Sequence, residues 1–150
     1  MARIVALASG KGTNFRALLE AAADGRIFEA EFVGLVVDRP HTGAEEAARE
    51  AGIECTVVDY KSFASRKEYD RAFAKVVADY APNLIVAAGY MRILDNDFVR
   101  SYPNRILNIH PSLLPAFPGL HAQRQALEYG VKVSGCTVHF VDEGLDSGPI

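Results

Sequence analysis

An alternation of short apolar runs with amphipathic stretches, repeated along the whole chain, most limits what this sequence can fold into. Ile4–Ala8, Phe32–Val37, Ile53–Val58, Leu84–Ala88 and Ile106–Ile109 are rich in apolar residues and too short for helices, so each reads as a buried strand. Helical periodicity fills the intervals. Thr13–Asp24 places Phe15, Leu18, Leu19 and Ala22 on one face and stops at Gly25. Thr42-Gly43-Ala44-Glu45 has capping-box spacing and opens an Ala-rich helix that ends at Gly52. Arg66–Tyr80 aligns Tyr69, Phe73, Val76, Val77 and Tyr80. Short helices are expected over Asp95–Ser101 and His121–Tyr129, and a last strand over Ser134–Val141. Strands alternating with helices predict an α/β fold, a Rossmann-like, mostly parallel sheet with helices on both faces. Residues 1–150 are expected to form one domain. Asp146–Ile150 reads as a turn entering a further strand, so C-terminal elements are expected to be missing from this chain.

Composition narrows the function. A chain that is 49% hydrophobic and 23% charged is not a disordered one. Net charge is −3 with no Lys/Arg block, which argues against nucleic acid as principal partner. No apolar run is long enough to span a membrane, and the N-terminus lacks a signal-peptide cleavage pattern. A cytoplasmic enzyme is the expectation. Cys55 and Cys136 form no CxxC, and both are expected to be buried thiols.

In a parallel sheet, ligands gather outside the carboxyl ends of the strands. The loops to search are therefore Ser9–Asn14, Asp38–Thr42, Gly89–Leu94 and His110–Gly119. Ser9-Gly10-Lys11-Gly12-Thr13-Asn14 puts two glycines before a helix, where free N–H groups and the helix dipole favour an anion. Phe15 stands where a dinucleotide fingerprint needs its third glycine, so a monophosphate fits better than a pyrophosphate. An ordinary Gly-rich turn accounts for the same residues. Asp38 is expected to be a polar strand terminus, and a ribose-binding acid is the sharper alternative.

Asn108 and His110 alternate on one strand, so both point to the same side, about 6.6 Å apart. An amide donor can bind an oxyanion, and an imidazole can move a proton near neutrality. Satisfied core side chains are the bland alternative. Asp146 matters if folding brings it to His110, where a carboxylate favours the imidazolium and fixes its tautomer. Asp142 and Glu143 read as a solvated turn, His139 as structural, and Ser112 as a turn stabiliser rather than a nucleophile. His110, His121, His139 and Asp146 lack metal-ligand spacing. Leu114–Pro115 is the expected cis bond of this loop. Gly89–Leu94 mixes apolar side chains with backbone donors, which suits a flat heterocycle with polar edges, although a core-lining loop fits equally. Arg66 at a helix start reads as a solvated cation, with an anionic ligand tail as the alternative.

Asn108-Ile109-His110-Pro111-Ser112-Leu113-Leu114-Pro115, then Phe117-Pro118-Gly119-Leu120-His121, then Asp146 before Gly148-Pro149, resembles the folate-dependent formyltransferases. The Ser9–Asn14 loop and Met91-Arg92-Ile93-Leu94 resemble the branch that acts on glycinamide ribonucleotide, and the likeness runs from residue 3 to the end. Thr13 stands where that branch often has Ser. The resemblance implies the formyltransferase fold and transfer of a formyl group from 10-formyltetrahydrofolate to the amine of glycinamide ribonucleotide, with no metal. It implies that Asn108, His110 and Asp146 are catalytic, and that Gly12, Thr13 and Asn14 hold the ribonucleotide phosphate. It also implies that Met91, Arg92, Ile93, Leu94 and Asn108 line the folate, with Arg66 near its glutamate tail. By this reading residues 1–100 form a phosphate-binding half and 101–150 a catalytic and folate-binding half. The family continues past this point through a further strand and helix. A homodimer is open to it. A formyltransferase for another amine and a formyltetrahydrofolate hydrolase are the competing enzymes. A nucleotide-binding module and an NAD-linked dehydrogenase are the competing classes.

Overall fold

A computed structural model describes residues 1–150. Its elements are β1 (Ala2–Ala8), α1 (Thr13–Ala23), β2 (Ala30–Val37), α2 (Gly43–Glu50), β3 (Cys55–Val57), α3 (Arg66–Asp79), β4 (Leu84–Ala87), α4 (Asn96–Ser101), β5 (Ile106–His110), α5 (Ala122–Tyr129) and β6 (Thr137–Phe140), with a 3₁₀ turn at Tyr60–Ser62. The strands form one six-stranded sheet in the order β3-β2-β1-β4-β5-β6. The first five run parallel, and β6 pairs antiparallel with β5. The mostly parallel sheet read from the apolar runs is therefore present.

Strand alternation sorts the core into two layers. Val5 and Leu7 of β1 join Val36, Ile85 and Ile106 beneath Tyr69, Phe73 and Val77 of α3 and Phe98 and Val99 of α4. Ala6 and Ala8 face the other way and join Leu35 and Val37 beneath Phe15 of α1 and Ala44, Ala47 and Ala48 of α2. Helices thus cover both faces, large side chains filling one layer and alanines letting α2 lie close in the other. A bulge in β1–β2 pairing between Ile4 and Val5 sets Gly34 against the Tyr80 ring, where a Cβ would lie 2.5 Å from a ring carbon.

The helix starts follow their caps. Thr42 Oγ1 accepts from Glu45 N at 3.1 Å, and the Glu45 carboxylate reaches back to His41 N at 3.0 Å. Ser65 caps α3 through Glu68 N, a pairing not marked in the sequence reading. Two strands are shorter than the apolar runs suggest. β3 covers Cys55–Val57 rather than 53–58, and β6 covers Thr137–Phe140 rather than 134–141. Both are edge strands, paired on one side only: β3 stops with β2 at Val37, and β6 starts opposite His110, the last residue of β5. Cys136 consequently falls outside β6 and is exposed, which corrects its reading as a buried thiol. Cys55 is half-buried, and desolvation raises its thiol to about 11. No helix is long and apolar enough to cross a membrane.

Phe73 ties the larger layer together: its ring centroid lies 5.5 Å from Tyr90, 5.9 Å from Tyr69 and 5.1 Å from Phe98. Phe73→Ala is expected to lower unfolding stability by about 3–5 kcal/mol, because the vacated volume cannot refill. A urea titration checks this through a lower midpoint at unchanged slope.

Candidate active site

At the carboxyl edge of the sheet, β5 presents Asn108 and His110, and the antiparallel return of β6 sets His139 directly across from Asn108. His110 is buried, with Nδ1 3.4 Å from Asp146 Oδ2 and Nε2 2.9 Å from the Phe117 carbonyl. Both ring nitrogens face oxygen acceptors, an arrangement that accommodates a proton on each. The same Asp146 Oδ2 accepts the Gly119 N–H at 2.8 Å, so one carboxylate steadies both the imidazole and the loop beside it.

His139 extends the cluster. Its Nδ1 donates to the Phe140 carbonyl at 3.1 Å, which leaves Nε2 to accept from Asn108 Nδ2 at 3.4 Å. One amide hydrogen of Asn108 is thereby fixed and the second is left for a ligand. His139 Nε2 stands 4.0 Å from Asp146 Oδ1, beyond hydrogen-bond range. The three side chains singled out in the sequence converge. His139, taken there as structural, orients the amide among them. Its part follows from β6 being antiparallel, a pairing no local pattern encodes. Ser112 donates to the Ala116 carbonyl within the turn that follows β5, and Leu114–Pro115 is cis.

The second part of the edge is the Ser9–Asn14 loop. Gly12 caps α1 in the left-handed conformation with no side-chain cap, so the first-turn N–H groups at Thr13 and Asn14 face outward. A Cβ on Gly12 would lie 2.6 Å from Ala44 Cα, so only glycine lets α2 pack this closely. Beside the loop lies an open depression of about 460 Å³ lined by Lys11, Arg39, His41 and Thr42 among others. Lys11 and Arg39 thus border a depression next in the chain to the Thr13 and Asn14 donors, which lie outside its lining.

The third part is the Gly89–Leu94 loop. Met91 and Ile93 are exposed apolar side chains, while the Met91 N–H donates to Ser9 Oγ at 3.0 Å. Arg66 pairs with Asp70 at 2.8 Å and donates to the Ile93 carbonyl, so it braces this loop instead of standing free in solvent. Arg92 turns inward. Its Nε lies 2.8 Å from Asp38 Oδ2 without its N–H aimed along that line, an ionic contact rather than a hydrogen bond. Asp38 directly follows β2, at the strand terminus expected for it, but is 0% exposed. The charge is tolerated because Arg39 binds it through two contacts of 3.1 Å and Arg92 adds a second cation. No three His, Cys, Asp or Glu side chains lie close enough to hold a metal ion.

The sequence profile of the family described as Formyl transferase matches residues 2–150. The chain belongs to the formyl transferase family. Among curated relatives of this formyl transferase is phosphoribosylglycinamide formyltransferase of Mycobacterium tuberculosis, 48% identical over 99% of this chain and 68% of the relative. The trifunctional purine biosynthetic protein adenosine-3 of Drosophila melanogaster is 46% identical over 99% of this chain, which spans 11% of that longer protein. The solved structure of glycinamide ribonucleotide transformylase 1 from Symbiobacterium toebii superposes with a TM-score of 0.95 at 50% identity, covering 100% of this chain and 70% of that one. The formyltransferase fold expected from the motifs is the fold observed.

Burial acts to raise the Asp38 carboxyl, but hydrogen bonds from Arg39 and Ser9 and the charges of Arg39 and Arg92 outweigh it and hold the group below the usual carboxylate range. A lowered folded value makes ionised Asp38 stabilising above its unfolded pKa of about 3.9, with loss as pH falls through the folded value. The stability difference between wild type and Asp38→Asn is therefore expected to be constant from pH 6 to 8 and to shrink in strong acid. Denaturant titrations across that range measure it.

Proposed function

We propose that this chain transfers the formyl group of 10-formyltetrahydrofolate to the amine of glycinamide ribonucleotide. The observation that carries the reading is the meeting of Asn108, His110 and Asp146 at the edge that also bears the Gly12–Asn14 donors. The names of the similar proteins from M. tuberculosis and S. toebii support it. Residues 1–100 supply the phosphate cradle and 101–150 the catalytic side chains. The proposed folate contacts at Arg66 and Met91–Leu94 fall in the first of these halves.

The chemistry asks for an oxyanion site and a mobile proton. When the amine attacks the formyl carbon, a C–N bond forms, the carbonyl oxygen becomes negative and the nitrogen becomes an ammonium. The free Asn108 hydrogen and the His110 N–H are the donors for that oxygen. One such donor is worth about 2.7–4 kcal/mol in sites of this kind. Donation from His110 exchanges the Phe117 carbonyl for the substrate oxygen, one acceptor for another. Asp146 orients the imidazole through Nδ1 and takes the ammonium proton directly or through water. The bond to the folate nitrogen then breaks, and His110 gives that nitrogen a proton as general acid. Thr13 and Asn14 N–H groups hold the phosphate, and the exposed Met91 and Ile93 side chains pack on the folate ring. Fixing both substrates along one edge supplies much of the acceleration by orientation.

The test is formyl transfer from 10-formyltetrahydrofolate to glycinamide ribonucleotide, run beside other sugar amines and water as acceptors. Preference for glycinamide ribonucleotide supports the assignment, and preference for another amine or for water replaces it. His110→Ala is expected to cut kcat by about 10²–10³-fold with the fold retained, the scale of losing one oxyanion donor. Gly12→Val is expected to raise the ribonucleotide KM far more than the folate KM. Equal increases would remove the cradle from phosphate binding.

A further inference from the structure

Asp38 is the one fully buried carboxylate of the sheet edge, and the reacting groups described above do not use it. Its neighbours come from three separate loops. The Ser9 hydroxyl, from the loop after β1, helps hold its carboxyl below the usual range. Arg39, from the loop after β2, grips both carboxylate oxygens and also lines the depression beside the phosphate cradle. Arg92, from the loop after β4, brings its guanidinium to the carboxylate while stacking 3.4 Å over the Tyr60 ring. Ser9 itself accepts the Met91 N–H and donates its own N–H to the Gly89 carbonyl at 3.1 Å.

We infer that Asp38 is a positioning residue that fixes the Gly89–Leu94 loop against the Ser9–Asn14 loop and so couples the two substrate half-sites. The inference rests on the formyl transfer proposed above for the meaning of the half-sites, though the coupling of the loops is physical and independent of it. One buried anion shared by two guanidinium groups has few alternative arrangements, because any displacement leaves a charge desolvated and unpaired. With the Arg92 side chain engaged by Asp38 and Tyr60, the folate contact proposed at this position falls to its backbone. Its side chain orients the loop, and the loop's backbone and its Met91 and Ile93 side chains are left to meet the ligand. Arg39 links the same carboxylate to the anion-binding side. A ligand that immobilises one loop lowers the ordering cost of the other.

Two variants and two readouts test this. Amide hydrogen exchange is measured on the ligand-free protein, and steady-state constants are measured for both substrates. Asp38→Asn is expected to speed exchange at Met91 and in residues 9–14 while leaving Ile85 and Val86 of β4 protected. It raises both KM values by about 2- to 30-fold, the range for residues that alter coupling without touching either ligand. Arg92→Met keeps the stem and leaves Asp38 paired with Arg39, so it serves if the first variant does not fold. It is expected to speed exchange at 89–94 alone and to raise the folate KM with the ribonucleotide KM unchanged. Unaltered exchange at Met91 in the folded variants overturns the coupling. Acceleration spread evenly over all strands also overturns it, since that is the mark of a purely structural role. If wild type transfers no formyl group, the function proposed above fails, and the exchange data still decide whether Asp38 joins the loops.

Discussion

The carboxylate of Asp146 bears on two things at once, the Nδ1 side of His110 and the N–H of Gly119. The rest of the site depends on that double hold. Without it the imidazole has no charged neighbour among the catalytic set and the loop that closes over Nε2 loses an anchor. The contact joins positions far apart in the chain: β6 runs away from the carboxyl edge, from Thr137 opposite His110 to Phe140 opposite Leu107, and the segment after it doubles back, Pro149 bonding Phe140, so that Asp146 meets His110. The functional geometry therefore rests on that reversal beside β6, the one exception to an otherwise parallel sheet.

Around that exception the site is assembled from loops held by the framework. The chain uses backbone donors where it needs an anion site and buried ion pairs where it needs rigidity. Gly12 gives the first by adopting a positive φ against α2, and Asp38 gives the second by gathering Ser9, Arg39 and Arg92. These two devices sit next to each other, at the ends of neighbouring strands β1 and β2. Loop rigidity matters to a two-substrate transfer because small errors in placement cost large factors in rate.

How far the sequence foretold this differs by element. Apolar runs and helical faces located every strand and helix, since burial on both sides of a parallel sheet writes itself as continuous hydrophobicity. Asn108 and His110 were legible because strand alternation forces them to one side. Asp146 entered as a site residue through resemblance to the family, and its contact with His110 is a matter of tertiary return. His139 and Asp38 escaped for a related reason: each owes its role to a partner on another strand or loop, so their surroundings read as bland. Cys136 was misplaced because edge pairing, not hydrophobicity, ends β6.

The most direct test of the central claim replaces only the charge that faces His110. Asp146→Asn keeps an oxygen able to accept the Gly119 N–H, so the loop anchor survives while the anion is lost. The kcat for formyl transfer is predicted to fall by about 10²–10⁴-fold, the usual worth of a positioned acid–base group, with both KM values little changed. A variant that turns over at the wild-type rate would contradict the account.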